Sequence, residues 1–104
     1  MKTRYGSTIL DNAYDKYFKH TKITYEEYVI MLSTNDEIYF CYKDIEYQVV
    51  YESSEIVTMC ISEYCNNKVV NQRTEYFSSI IELLNKFKID GKLIREIWDD
   101  VSFD

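Results

Sequence analysis

The chain contains no proline and only two glycines, Gly6 and Gly91, among its 104 residues. This composition does not suit a flexible linker or a low-complexity arm, so we expect one domain over residues 1–104. No run approaches the roughly 18 apolar residues of a membrane-spanning helix, and residues 1–7 lead into a charged segment rather than the apolar core of a signal peptide. We therefore expect a cytoplasmic protein.

Cysteine and histidine are too few for the common structural frameworks. Cys41, Cys60 and Cys65 are odd in number and lack a CxxC spacing, and His20 is the only histidine. A structural zinc site normally needs a full tetrahedral set of such ligands, and secreted disulfide frameworks usually have an even cysteine count. We predict three reduced thiols, with no metal and no cofactor.

Sequence signatures of catalysis are missing too. The chain has no Gly-rich phosphate loop, no HExxH motif and no GxSxG motif. No basic neighbour or helix start near a cysteine favours a reactive thiolate. Asp99 and Asp100 are adjacent, so on a helix they point about 100° apart, which does not suit an acid and a base facing one substrate. The prediction is a protein that is not an enzyme.

Negative charge is what the sequence has in excess, with a formal net charge of −6. Residues 1–22 have a balance of +3 and the remainder a balance of −9. Between Asp44 and Asn67 there are five carboxylates and no cation. Such a field repels nucleic acid phosphates and accelerates encounter with a cationic surface, although acidity also serves solubility alone.

The spacing of apolar residues predicts an α+β fold with N-terminal helices, an antiparallel meander of three to four strands, and two C-terminal helices packed on one sheet face. The first helix starts after Ser7 or Thr8 and has an apolar stripe ending at Phe18. The second starts at Thr24, where residues 24–27 match a capping box.

From residue 37 to about residue 72 the apolar period changes from 3.6 to two, as in strands. Turns are predicted at residues 43–46, 52–55 and 66–67, and the fourth strand is predicted to be short, over residues 68–72. One face carries Ile, Phe, Val and Met, and the other carries Tyr, Cys, Thr and Ser. Helices should cover the first face and leave the second at least partly exposed to solvent.

Two capped helical patterns follow the strands. Residues 79–82 match a second capping box, and Asp90 is predicted to cap the last helix. Leu93, Ile94, Ile97, Trp98 and Val101 repeat at helical spacing. Trp98 is therefore interpreted as a core residue rather than a binding anchor.

Three motifs together resemble small bacterial immunity proteins that accompany polymorphic or contact-dependent growth-inhibition toxins. They are EIYFCYKDIEY at 37–47, YFSS at 76–79 and IDGKLIREIWDDV at 89–101. The motifs are structural, so the resemblance concerns the fold more than the partner. It implies tight, non-catalytic binding of a cognate toxin domain, often a nuclease made inside the same cell.

A nuclease carries a cationic surface for phosphates, which an acidic inhibitor could occupy with carboxylates. Eleven tyrosines offer rigid contact area with a hydrogen-bonding tip. The predicted toxin-binding residues on or near the open sheet face are Tyr39, Glu46, Glu52, Glu55, Glu63 and Tyr64. A second acidic cluster is predicted at Asp99, Asp100 and Asp104. Replacing Glu46, Glu52 and Glu55 together with lysine should slow association with the toxin and abolish protection against it, while leaving thermal stability nearly intact.

Two other functions are compatible with parts of this pattern. The first is a phage-encoded acidic inhibitor of a CRISPR-type defence nuclease, in which carboxylates imitate DNA phosphates. The second is a nucleic-acid-binding module that uses the basic N-terminal segment, but a balance of +3 is small for a phosphate track. The sequence indicates neither the toxin, the mode of inhibition nor the oligomeric state.

Overall fold

The structure is a computed structural model that describes the backbone of residues 7–103 and the side chains of residues 10–103. Its elements are α1 (Ser7–Phe18), α2 (Tyr25–Ser33), β1 (Tyr39–Tyr42), β2 (Ile45–Ser53), β3 (Ile56–Cys65), β4 (Lys68–Phe77), α3 (Ile80–Lys86), β5 (Lys88–Ile89), β6 (Lys92–Leu93), α4 (Ile94–Ile97) and a 3₁₀ helix (Trp98–Asp100). The predicted α+β class, with N-terminal helices followed by an antiparallel meander and C-terminal helices, is confirmed, and the C-terminal helices are short. None of the helices in residues 7–103 has both the length and the apolar character that a membrane crossing requires.

The four long strands form one antiparallel sheet in the order β1-β2-β3-β4. Each connection is a two-residue turn, shorter than the four residues predicted at 43–46 and 52–55. Lys43 and Asp44 have φ of 52° and 65°, and Asn66 and Asn67 have φ of 54° and 65°. Positive φ at both central residues is the type I′ geometry that matches the twist of paired strands.

The fourth strand is longer than predicted, because β4 continues to Phe77 rather than ending near residue 72. Its residues are exposed or half-buried along the whole length, so no alternation of apolar and polar residues marks its second half. Burial against a core is what imposes that alternation on a strand. The prediction was therefore wrong at this end.

Aromatic rings connect the sheet to the helices. Phe40 of β1 lies 5.7 Å from Tyr28 of α2 and 5.6 Å from Trp98, measured between ring centroids. Tyr47 of β2 lies 6.1 Å from Phe87, the residue that ends α3. These rings are buried, whereas Phe18, the last residue of the predicted α1 stripe, is 70% exposed.

Hydrogen bonds at the helix starts follow the predictions in part. The Thr24 capping box is confirmed: Thr24 Oγ1 accepts from the Glu27 N–H at 3.0 Å, and the Glu27 carboxylate accepts from the Thr24 N–H at 2.8 Å. At α3, Ser79 Oγ accepts from the Glu82 N–H at 3.1 Å. The Glu82 carboxylate, however, accepts from the Ser78 N–H at 2.7 Å, so this box is only half formed.

Asp90 does not cap the last helix, contrary to the prediction. Asp90 and Gly91 have φ of 54° and 79° and form the tight turn between β5 and β6. Asp-Gly is a strong signal for such a turn, and here it prevails over capping. The helix begins after Leu93, whose N–H donates to the Glu96 carboxylate at 2.7 Å, and it extends through a single turn before the 3₁₀ helix.

Glu27 makes stability depend on pH. Burial alone raises the pKa of Glu27, but hydrogen bonds from Lys16 and from the Thr24 backbone, with the charge of Lys16, lower it overall. A lowered folded-state pKa stabilises the fold above the unfolded value of about 4.5, and the contribution is lost as pH falls through the folded value. The stability advantage of the wild type over Glu27→Gln should shrink on acidification from about pH 6 to pH 3 in urea unfolding. An advantage that does not change with pH would contradict this assignment.

The Tyr28 hydroxyl is a buried polar group that lacks a hydrogen-bond partner among the described residues. Burial raises the pKa of this phenol, so it stays neutral. Because an unsatisfied buried hydroxyl costs about 1–3 kcal/mol, Tyr28→Phe is expected to raise the free energy of unfolding by about 1 kcal/mol. Tyr25→Phe is the control at a half-buried position of the same helix, and denaturant unfolding compares the two. A destabilised Tyr28→Phe would show that the hydroxyl is satisfied.

Candidate functional site

The sheet face turned away from the aromatic core is called the outer face here. The strand register aligns two rows of side chains across it: Cys41, Glu46, Ser62 and Gln72 in one, and Tyr39, Gln48, Cys60 and Thr74 in the other. These rows agree with the predicted polar face. Most of their members are half-buried or exposed, but Thr58 and Ser62 of this face are buried.

Side chains from neighbouring strands cover those two residues. Thr58 Oγ1 donates to the Glu52 carboxylate at 2.8 Å, and Gln72 Nε2 donates to Ser62 Oγ at 3.0 Å. A buried hydroxyl is costly unless it is hydrogen-bonded, so these contacts stabilise the middle of the outer face. Glu52 therefore stabilises the fold through this hydrogen bond, in addition to contributing negative charge to the surface.

A concavity of about 650 Å³ opens at the end of the sheet where the β1–β2 and β3–β4 turns lie. We call it the acidic groove. Its principal lining residues are Cys41, Asp44, Glu46, Tyr64, Asp100 and Ser102. Three strands and the C-terminal segment therefore contribute to one surface.

The C-terminal segment is held in the groove by two backbone hydrogen bonds. The Cys41 N–H donates to the Ser102 carbonyl, and the Ser102 N–H donates to the Cys41 carbonyl, both at 2.8 Å. This bridge pairs the segment with the edge of β1. It brings Asp100 to the same concavity as Glu46, although the two residues are far apart in sequence.

The groove has an excess of negative charge. Asp44, Glu46 and Asp100 contribute carboxylates, and among the described residues Lys43 is the only cation in its lining. The Lys43 ammonium forms an ion pair with Asp90 at 3.2 Å and lies 5.2 Å from the centre of the Tyr42 ring. Lys43 is thus paired with a carboxylate that does not line the groove. Within the side chains described, from residue 10 to residue 103, no ion pair is formed by Asp44, Glu46 or Asp100.

Tyr64 adds a hydrogen-bond donor to these acceptors. The negative charge of Glu46 raises the pKa of the Tyr64 phenol, with slight burial and a hydrogen bond to Glu46 acting in the same direction. The phenol therefore stays protonated at neutral pH. Its ring is 44% exposed, so it offers a partner an apolar surface with a hydroxyl group at its tip.

The predicted binding residues do not form one surface. Glu46, Tyr64 and Asp100 meet in the acidic groove. Glu52 and Glu55 lie at the opposite end of the sheet, beside the β2–β3 turn. Asp44 also lines the groove but was not among the predicted binding residues, although the run of carboxylates between Asp44 and Asn67 includes it.

The remaining predicted residues lie elsewhere. Glu63 accepts from Asn71 Nδ2 at 3.0 Å. Tyr39 is half-buried, its hydroxyl donates to the Phe103 carbonyl at 3.2 Å, and its ring contacts Tyr17 of α1. Asp99 lines a different concavity, so it does not cluster with Asp100 as predicted. Asp104 lies outside the described residues.

The site residues form no visible catalytic arrangement. Within residues 7–103, no group of three or more His, Cys, Asp and Glu side chains could hold a metal ion. Burial, reinforced by the charges of Glu52 and Glu37, raises the pKa of the Cys60 thiol and so disfavours its nucleophilic form. His20 Nδ1 lies 2.7 Å from the Phe103 carbonyl oxygen. Because a carbonyl only accepts, this ring nitrogen donates a hydrogen bond to the backbone of the C-terminal segment. The groove is suited to binding by charge and hydrogen bonds.

The fold and the groove together define a small α+β domain that presents carboxylates and a tyrosine at one end of a meander sheet. Comparison with known proteins adds no narrower class, because no family model, no curated protein and no solved structure matches the chain. The residues of the groove are therefore the basis for assigning a function.

Proposed function

We propose that this chain is an immunity protein that binds and neutralises a cognate bacterial toxin domain without catalysing a reaction. The proposed toxin is a nuclease of the contact-dependent growth-inhibition type, and its basic surface would dock at the acidic groove. The observation that supports this proposal most directly is the groove itself. Of the described residues, three carboxylates and one cation line it, and that cation is already paired with Asp90.

The chemistry of a nuclease explains why such a groove would inhibit it. A nuclease holds phosphates with lysine and arginine, and carboxylates at similar positions satisfy the same cations. Opposite charge also accelerates encounter and disfavours partners that are themselves acidic. In the proposal, Glu46, Asp44 and Asp100 bind cations, and Tyr64 supplies apolar contact and a hydrogen bond.

In this proposal the two faces of the sheet have different roles. In the proposed arrangement the two C-terminal helices cover one face and the toxin approaches from the other. The protein would act in the cytoplasm, where a nuclease toxin meets nucleic acid. Neither a cofactor nor a membrane is needed for this mode of inhibition.

Purification of the tagged chain from its native operon tests the proposal. We expect a basic polypeptide encoded next to this chain to co-purify, to show no nuclease activity while bound, and to regain activity once separated. Capture of a guide-RNA-dependent nuclease would instead support the phage-inhibitor alternative. Turnover of a small molecule by the purified chain alone would contradict the proposal directly.

A further inference from the structure

The two edges of the sheet differ in how they are covered. At one edge, Ser102 forms two backbone hydrogen bonds with Cys41 of β1. At the other edge, β4 pairs with β3, and no other described strand pairs with β4. Unpaired N–H and C=O groups along an edge are a template for another strand.

The exposed edge is long and has few features that would prevent pairing with another strand. β4 has ten residues, and the chain has no proline to interrupt it. Val69, Val70 and Tyr76 are 48%, 63% and 65% exposed. A bulge interrupts β4 at Val70, opposite Glu63 and Tyr64 of β3, and the register is regular from Asn71 to Phe77. Edges that must stay unpaired usually carry prolines, central lysines or stronger distortions.

The hydrogen-bond alternation shows which β4 groups point outward. Ser53 and Ile56 close a two-residue turn, so Ile56 bonds to β2 and the next residue, Val57, bonds to β4. Continuing this alternation, Met59 and Ile61 also bond to β4, where their partners are Glu75 and Arg73. The intervening β4 residues, Gln72, Thr74 and Tyr76, therefore direct their N–H and C=O groups to the open edge.

We propose that β4 pairs antiparallel with β4 of a second copy, forming a homodimer with its twofold axis at Thr74. A twofold axis normal to the sheet places the outer faces of the two copies on the same side of the joined sheet. Thr74 then lies opposite Thr74, and Gln72 lies opposite Tyr76. Arg73 of each copy then stands opposite Glu75 of the other, twice per dimer. These are non-hydrogen-bonded positions, where facing side chains come closest.

The charges select this register over its neighbours. An axis at Arg73 places two arginines opposite each other, and an axis at Glu75 places two glutamates opposite each other. Like charges directly opposite destabilise a strand pair, whereas opposite charges stabilise it. An axis at Gln72 avoids repulsion, but it places Arg73 opposite Asn71 and Glu75 opposite Val69, so it forms no ion pair and must pair through the bulge at Val70. The sequence of β4 is thus self-complementary about Thr74.

Light scattering on the full chain over a concentration series tests the dimer. We expect a mass of twice 12.6 kDa. Thr74→Pro removes an outward N–H without removing a bond to β3, so it should yield monomers, whereas Thr74→Val retains the N–H and should dimerise. Circular dichroism checks that both variants are folded. A wild type that stays monomeric throughout, or a Thr74→Pro variant with the wild-type mass, would overturn the proposal.

Charge exchange provides a second test that does not depend on proline. Arg73→Glu should weaken the dimer at least about tenfold, because two glutamates then face each other at two places. Arg73→Glu combined with Glu75→Arg should restore wild-type association. The Arg73–Glu75 ion pair within one copy, at 3.1 Å, can re-form in the exchanged variant. Failure of the double variant to regain the dimer mass would show that the two residues do not face each other.

The dimer and the toxin site are independent. The acidic groove is at the end of the sheet next to Asn66 and Asn67, whereas the proposed axis is at Thr74. The dimer would therefore present two grooves at its two ends. A wild type that stays monomeric but still binds the toxin would refute only the strand pairing.

Discussion

Replacing Trp98 with alanine is expected to lower the free energy of unfolding by about 3–5 kcal/mol. The side chain is 6% exposed, and its ring lies 4.7 Å from that of Tyr28 and 5.7 Å from that of Phe103. Its Nε1–H donates to the Ile23 carbonyl at 2.9 Å. Truncation therefore leaves a cavity between elements and removes the partner of a buried carbonyl, a large loss for a small domain.

Trp98→Phe is the matched control. It keeps an aromatic ring in contact with Tyr28 and Phe40 but removes the donor to Ile23, so we expect a smaller loss of about 1–3 kcal/mol. Urea unfolding should be followed by far-UV circular dichroism, because Trp98 is the only tryptophan and its fluorescence is lost in both variants. An alanine variant that loses less than about 1 kcal/mol would show that Trp98 is not central to the core.

The position of Trp98 illustrates which parts of the fold could be predicted. Apolar spacing needs only a buried face, so it indicated the core side chains and the alternation along β1 to β3. The Thr24 capping box depends on residues within a single turn and was also predictable. Asp90 was misassigned because two local preferences compete there, and the Asp-Gly turn is favoured by pairing between β5 and β6, which the sequence pattern did not reveal.

The site was less predictable because its parts are brought together by long-range contacts. Strand alternation placed Tyr64 on the open sheet face, and Glu46 was predicted near that face in the turn at residues 43–46. It could not place Asp100, which reaches the groove only through the bridge between Cys41 and Ser102. Nor could it separate Asp99 from Asp100, which the 3₁₀ helix directs to two different concavities.

Reversing two charges in the groove, with Glu46→Lys and Asp100→Lys together, is expected to abolish protection against the proposed toxin. Two groove carboxylates become ammonium groups, so the groove repels a basic surface that it formerly attracted. Loss of steering should reduce the association rate by roughly 10- to 1,000-fold at low salt, and the difference should shrink as salt increases. Stopped-flow binding and a growth-protection assay measure the two effects.

Glu55→Lys with Asp99→Lys is the matched control, because it makes the same change in net charge on exposed residues outside the groove. The triple variant at Glu46, Glu52 and Glu55 is less discriminating. Its Glu52 substitution removes the acceptor of the buried Thr58 hydroxyl, so it should lower stability as well as charge. If the groove variant and its control lose protection equally, then net charge rather than the groove governs recognition. If only the control loses it, the toxin binds elsewhere on the protein.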